Sequence, residues 1–206
     1  KHSKWPSGFM RSCSFYTPTL ILMAIAAGIC SGSNYFSQPL IHSIALSLAR
    51  PETSVAWIPT CAQISYAIGL LVLMPLGDLL EKRQLVVILM VLAACGLLIT
   101  GSADRLEWMI VGTILTGLFS VSAQLLLPLA ASLVPITQSG RVVGFLISAL
   151  MLGILLARSL SGLASTLWDW QIIYLISGIA LLMIAFMLYR KLDVFPATQR
   201  QSYMQT

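Results

Sequence analysis

Charge is what this sequence most lacks. Only 9% of its 206 residues are Asp, Glu, Lys or Arg, while 58% are hydrophobic; soluble domains carry about 25% charged residues. That scarcity excludes a dissolved globular protein, which would have too little polar surface. Metal-ligand clusters are lacking as well. Cys13, Cys30, Cys61 and Cys95 show no ligand spacing, and His2 and His42 add none. No metal and no cofactor is expected, and the cysteines read as free thiols facing lipid or core. Catalytic pairs are missing too. An intramembrane serine protease needs a serine with a histidine base on a neighbouring helix. His42 is the sole intramembrane histidine, and "SLSG" (159–162) is not a G-x-S-G turn. An enzyme is therefore not expected. Nor does any nucleic-acid motif accompany the net charge of +5.

What is present is a series of long uncharged runs: Ser12–Ala49, Thr53–Gly77, Gln84–Ala103, Trp108–Gly140, Val142–Ala157 and Trp170–Tyr189. A helix crosses the hydrocarbon in about 20 residues. The runs do not alternate apolar with polar, as barrel strands would. The expected fold is an all-α membrane protein with transmembrane helices near 18–41, 55–77, 84–101, 107–133, 141–165 and 170–189. Residues 1–17 form an N-terminal segment, 18–190 the six-helix domain, and 191–206 a polar tail. With both termini in the cytoplasm, the inner segments carry nine of the Lys and Arg residues, the outer loops two (Arg50 and Arg105), and the membrane one, Arg158. This is a positive-inside pattern, and the net charge reports topology.

The six helices contain a weak internal repeat. At an offset of 89, Ile21, Gly28, Ser31, Ser33, Pro39, Leu40 and Ser43 meet Ile110, Gly117, Ser120, Ser122, Pro128, Leu129 and Ser132. At an offset of 84, Gly69, Leu71, Leu76 and Leu79 meet Gly153, Leu155, Leu160 and Leu163. The Gly, Ser and Pro matches carry the signal, since leucines coincide by chance in apolar sequence. Three spans per unit put the second copy upside down. Two inverted three-helix repeats are a device of secondary transporters, with substrate sites near the midplane; shared membrane-helix composition is the bland alternative.

Several motifs point the same way. "PLGDLLEKRQL" (75–85) resembles the signature between helices two and three of the major facilitator superfamily, G-x-L-x-D-[RK]-x-G-[RK]-[RK]. Gly77 and Leu79 match, Glu81 stands for the Asp, Lys82 matches a basic position, and Gln84 replaces the later Gly; Asp78 and Arg83 complete the charged turn. "LGILLARSLSG" (152–162) resembles the antiporter signature of helix five, G-x-x-x-G-P-x-x-G-G. Gly153 and Gly162 match, Ala157 and Ser161 replace glycines, and Arg158 occupies the proline position. "SNYFSQPLI" (33–41), "QISYAIGLL" (63–71), "SAQLLLPLA" (122–130), "GRVVG" (140–144) and "DWQIIY" (169–174) are similar to segments of bacterial drug-efflux-like members, of the drug:proton antiporter type.

The resemblance implies one six-helix half of a twelve-helix efflux transporter in the bacterial inner membrane, with the start of a central linker at 191–206. Such an N-terminal half is expected to be inactive without its C-terminal partner. The alternative is a six-helix protein working as a homodimer or a non-transporting subunit. The implied partners are the lipid bilayer, a small organic substrate and protons. No Asp or Glu lies deep in any helix, so a proton-carrying carboxylate belongs to the other half.

Candidate substrate-path residues are Asn34, Tyr35, Gln38, Gln63, Tyr66, Gln124 and Arg158. Asn34 and Gln38 share a helix face, and in lipid such side chains either line a path or serve as interhelical glue. Arg158 cannot deprotonate. It either snorkels to the outer headgroups or faces inward, toward an anion or the carbonyls and amides of helix one. A carboxylate of the loop, Asp78 or Glu81, is expected to pair with Arg141.

Overall fold

The computed structural model describes the backbone of residues 9–191 and the side chains of residues 18–77 and 80–191. The described residues form α1 (Phe9–Ser33), α2 (Ser37–Ser47), α3 (Glu52–Val55), α4 (Trp57–Leu79), α5 (Lys82–Gly101), α6 (Leu106–Phe119), α7 (Ser122–Ser132), α8 (Ile136–Leu167) and α9 (Gln171–Lys191). Five apolar segments among them are long enough to cross a membrane: Glu52–Gly77, Lys82–Gly101, Leu106–Ser132, Ile136–Leu167 and Gln171–Lys191. Pro18–Ser33 and Ser37–Ser47, bent by 52° at their junction, together make a sixth span. Each span overlaps an expected one. The first runs on to Ser47, and α8 begins at Ile136 because Pro135, extended at the N-cap, sets its entry.

Besides the break at Ala56 near the start of the second, two spans are interrupted, and local chemistry bears on both breaks. Pro39 has no N–H to give the Tyr35 carbonyl one turn earlier, and its ring crowds that carbonyl. Ser33 Oγ meanwhile donates to Cys30 O at 2.8 Å, a side-chain bond that competes with the helix. In the fourth span Ser120 Oγ donates to Thr116 O at 2.6 Å, the same competition; Pro128 acts further on, its missing partner being the Gln124 carbonyl inside α7. The chain turns between Phe119 and Ser122.

Glycines set the closest crossings. A Cβ on Gly153 of α8 would stand 2.5 Å from Gly28 Cα of α1. On α6, a Cβ on Gly117 would meet Ala62 O of α4 at 2.7 Å, and one on Gly69 of α4 would meet the Leu118 carbonyl carbon at 3.1 Å. With no hydrophobic drive between helices in lipid, such backbone approach is a main source of adhesion. α5 lies between α6 and α9; of the five unbroken segments, α5 and the α6–α7 span are the most buried, and α8 and the α4 span the least.

Polar contacts gather the two ends of the bundle. His42 Nδ1 lies 2.7 Å from Glu52 Oε1, and Arg50 lies 3.7 Å from Glu107; exposed pairs of this kind contribute about 0.2–1 kcal/mol. Arg83 and Tyr189 meet at the opposite end. Ala49 ends α2 with φ 48°, and the Arg50 N–H reaches Ala45 O at 3.0 Å. That left-handed position suits glycine. Ala49→Gly should therefore raise stability by about 0.5–1 kcal/mol, read as a higher midpoint in chemical unfolding; an unchanged or lower midpoint would refute the strain.

Candidate functional site

Asn34 opens the break between α1 and α2 and is 6% exposed. Its Oδ1 is buried without a hydrogen-bond donor. An orphaned acceptor costs about 1–3 kcal/mol, so its surroundings matter. Asn34 lines a small chamber of about 10 Å³ with Ser33, Ser37, Ala62, Thr100, Thr113, Thr116 and Tyr174. Its walls come from the broken first span and from α4, α5, α6 and α9. Asn34 thus lies inside the bundle. The three threonines lie outside the quoted motifs, and Tyr174 ends "DWQIIY" without any site role having been read for it. In the sequence each is an ordinary polar residue, and only their convergence marks them. Phe36 meets the Tyr174 ring edge-on at 5.6 Å, and Trp170 meets it at 6.0 Å.

One residue on, Tyr35 turns toward α8. The Arg158 guanidinium carbon stands 5.2 Å from the Tyr35 ring centroid, within cation–π range. α8 buries Ala157 and Ser161 and leaves Arg158 exposed. Ser161 Oγ donates to Ala157 O at 2.7 Å, so the small residue packs without an orphaned hydroxyl. The partner on helix one is an aromatic face, in place of the expected carbonyls and amides.

The remaining path residues divide. Gln124 Nε2 donates to Tyr66 OH at 3.1 Å, tying α7 to α4. Gln38 is partly buried and Gln63 exposed, and neither side chain makes a hydrogen bond among the described residues.

A further feature had no motif to announce it. An apolar groove of about 520 Å³ runs along α1, α8 and α9, past Gly28, Gly32, Phe36, Gly153, Leu156 and Ala157. Its size is that of a drug-sized molecule's pocket. Gly162, by contrast, has nothing nearer its would-be Cβ than Pro39 Cβ at 3.9 Å.

In the charged turn, a Cβ on Gly77 would meet Leu125 Cδ2 at 2.6 Å, so glycine lets α4 close on α7. The side chains of Asp78 and Leu79 lie outside the described residues. Glu81 is at the N-cap of α5 with Oε1 buried and unpartnered, and Lys82 is partly buried. The expected pair between Glu81 and Arg141 is not formed: Arg141 is exposed, while Glu81 Oε1 is buried without a partner. Arg83 instead donates through Nη2 to Tyr189 O and lies 5.0 Å from the Tyr189 ring centroid. The last carbonyls of a helix lack N–H partners and carry partial negative charge, which explains the choice. Arg83 and "YRK" (189–191) sit at the same bundle end, the one signal that could have suggested it.

Six apolar spans, two of them broken beside polar side chains, define a multi-pass membrane protein with its polar groups gathered at helix interruptions. Residues 23–204 match the Major Facilitator Superfamily, and the chain belongs to that family. It is 45% identical over 186 residues to the protein named "Uncharacterized transporter YgaY" in Escherichia coli O157:H7. That alignment covers 90% of this chain and 47% of the relative, and the K12 counterpart of YgaY aligns equally. "Probable transporter SCO4007" of Streptomyces coelicolor is 32% identical over 169 residues, covering 82% of this chain and 39% of its own length. The chain thus spans less than half the length of these relatives.

Proposed function

We propose that the chain forms the N-terminal six-helix half of a secondary transporter that exports a small organic molecule from a bacterium. The reading places it in the inner membrane with both termini cytoplasmic, as the Lys and Arg distribution favours. The observation that carries it is the pair of helix breaks. Residues 34–36 interrupt the first span and residues 120–121 the fourth, the first helices of the two three-helix units; at the offset of 89 the second break falls three residues before the first. Interrupted helices in corresponding places of the two repeats are where transporters of this kind bind substrate and ions.

The packing supports two inverted repeats. Gly28 and Gly117 coincide when the chain is slid by 89, and Gly69 and Gly153 when it is slid by 84. In space Gly28 crosses Gly153, while Gly117 and Gly69 lie in the α4–α6 crossing. Equivalent glycines therefore serve equivalent contacts. α4 and α8, the second helices of the two units, are also the least buried, as faces awaiting a second half would be. In this reading Tyr35, Gln38, Gln63, Tyr66, Gln124 and Arg158 contribute to the substrate path, and a proton-carrying carboxylate lies in the partner half.

Alternating access rocks one half against another, so one half should not transport. In proteoliposomes with an imposed pH gradient, the chain alone should move ethidium no faster than empty vesicles. Fused to the second six helices of the Escherichia coli relative, it should give saturable movement. Saturable flux from the chain alone would overturn the half-transporter reading and favour a homodimer.

A further inference from the structure

We propose that the chamber beside Asn34 is a site for one ordered water molecule, and that this water pins the hinge between α1 and α2. The volume comes first. About 10 Å³ is roughly the space one water needs. The lining then selects the occupant. Ser33 Oγ donates its hydrogen to Cys30 O at 2.8 Å, Thr100 Oγ1 to Gly96 O at 2.9 Å, and Thr116 Oγ1 to Gly112 O at 2.9 Å. Those three hydroxyls can then only accept, and Asn34 Oδ1 accepts without a donor. An occupant must donate. Ser37 and Thr113 line the same chamber with hydroxyls that make no hydrogen bond among the described residues, so the occupant must also accept. Water does both.

A bare cation fits this lining less well. It finds no carboxylate among the lining residues, and an uncompensated charge in a low-dielectric interior is strongly disfavoured. An anion would face the acceptor oxygens. An apolar group would leave Asn34 Oδ1 orphaned.

The place of the chamber supplies the role. Around the break, the backbone bonds Phe36 N–H to Ser33 O and Gln38 N–H to Tyr35 O are both long, at 3.4 Å. Tyr35 N–H to Gly32 O is short, at 2.9 Å, but past Tyr35 the backbone holds this junction loosely, and Pro39 adds no N–H. Water donating to Asn34 Oδ1 and to either Thr100 or Thr116, and accepting from Thr113, would tie the junction to α6, or to α5 and α6 together. α2 then moves relative to α1 only if those bonds exchange. The inference does not depend on the transport reading.

Water-edited solid-state NMR of the chain in lipid tests the site. Thr113 and Thr116 are 7% and 4% exposed, so rapid magnetisation transfer from water to their methyl groups reports water in the chamber. The wild-type chain should show that transfer, equally in sodium and choline buffers. A dry chamber, or a signal that changes when sodium is withdrawn, overturns the proposal. Hydrogen–deuterium exchange tests the pin. Asn34→Leu keeps the branched heavy-atom shape, removes the acceptor and displaces the water. Amides of residues 35–41 should then exchange about tenfold faster, with the interiors of α5 and α9 unchanged. Thr113→Val is the milder second variant and should accelerate the same amides in the same direction. Unaltered exchange at residues 35–41 in both variants would remove the hinge role.

Discussion

A single methyl group at position 153 is expected to split the bundle. Gly153→Ala puts a Cβ about where Gly28 Cα already stands, at 2.5 Å, with Gly28 C at 2.6 Å. Both atoms are backbone, so no rotamer change relieves the clash, and α1 must move away from α8. Overpacking a tight site costs about 1–3 kcal/mol, occasionally more. The upper end applies here, because separation also loosens the approach of Gly32 to Gly153 O, where a Cβ would sit at 2.8 Å. The same helix holds its own control. At Gly144 nothing lies within 4 Å of the point a Cβ would occupy, so Gly144→Ala gains helix propensity and should stabilise by about 0.5–1 kcal/mol. Opposite signs for one chemical change within α8 are the expected result. Unfolding midpoints in lipid nanodiscs would show it, and a Gly153→Ala chain as stable as wild type would mean that the two helices do not meet there.

These contacts explain how much is legible in the sequence alone. The six spans can be read because charged residues fall almost only at their ends. Gly28 and Gly153 stand out as members of the repeat and of the helix-five motif, although not as each other's partners. The break at residues 34–36 is hidden. Pro39 lies three residues past it, and nothing in a uniformly apolar run marks where a proline's missing N–H will be felt. The chamber is hidden for another reason. Thr100, Thr113, Thr116 and Tyr174 are spread over three helices, and a cavity exists only after those helices pack. Arg83 reads as a loop charge because its partner, the terminal carbonyl of α9, is backbone and leaves no trace in residue type. Topology brings the loop carboxylates and Arg141 to the same bundle end. It does not decide which side chains meet there, and for Glu81 the pairing inferred from topology alone is not formed.

Arg158 carries the other large effect, and it falls on function. An arginine at a helix centre costs about 2.5–3.5 kcal/mol on insertion scales. The ring of Tyr35 at 5.2 Å offsets part of that, by about 0.5–2 kcal/mol depending on desolvation. The remainder is the reason to expect a use beyond packing, since an apolar residue would carry no such penalty. In the proposed transporter, completed by its second half, Arg158→Ala should lower transport at least tenfold at matched membrane abundance. Arg158→Lys should restore it only in part, because an ammonium lacks the planar fork and the stacking face of guanidinium. Tyr35 separates the two ways of holding that cation. Tyr35→Phe keeps the ring and should transport nearly normally, while Tyr35→Leu removes it and should approach the Arg158→Ala level. If the ring positions the guanidinium, the Tyr35→Leu, Arg158→Ala double variant should be no worse than Arg158→Ala alone, a non-additivity expected of residues acting as one unit. A guanidinium that merely snorkels to the headgroups predicts near-normal transport for every one of these variants. An unimpaired Arg158→Ala would therefore return this arginine to the membrane surface.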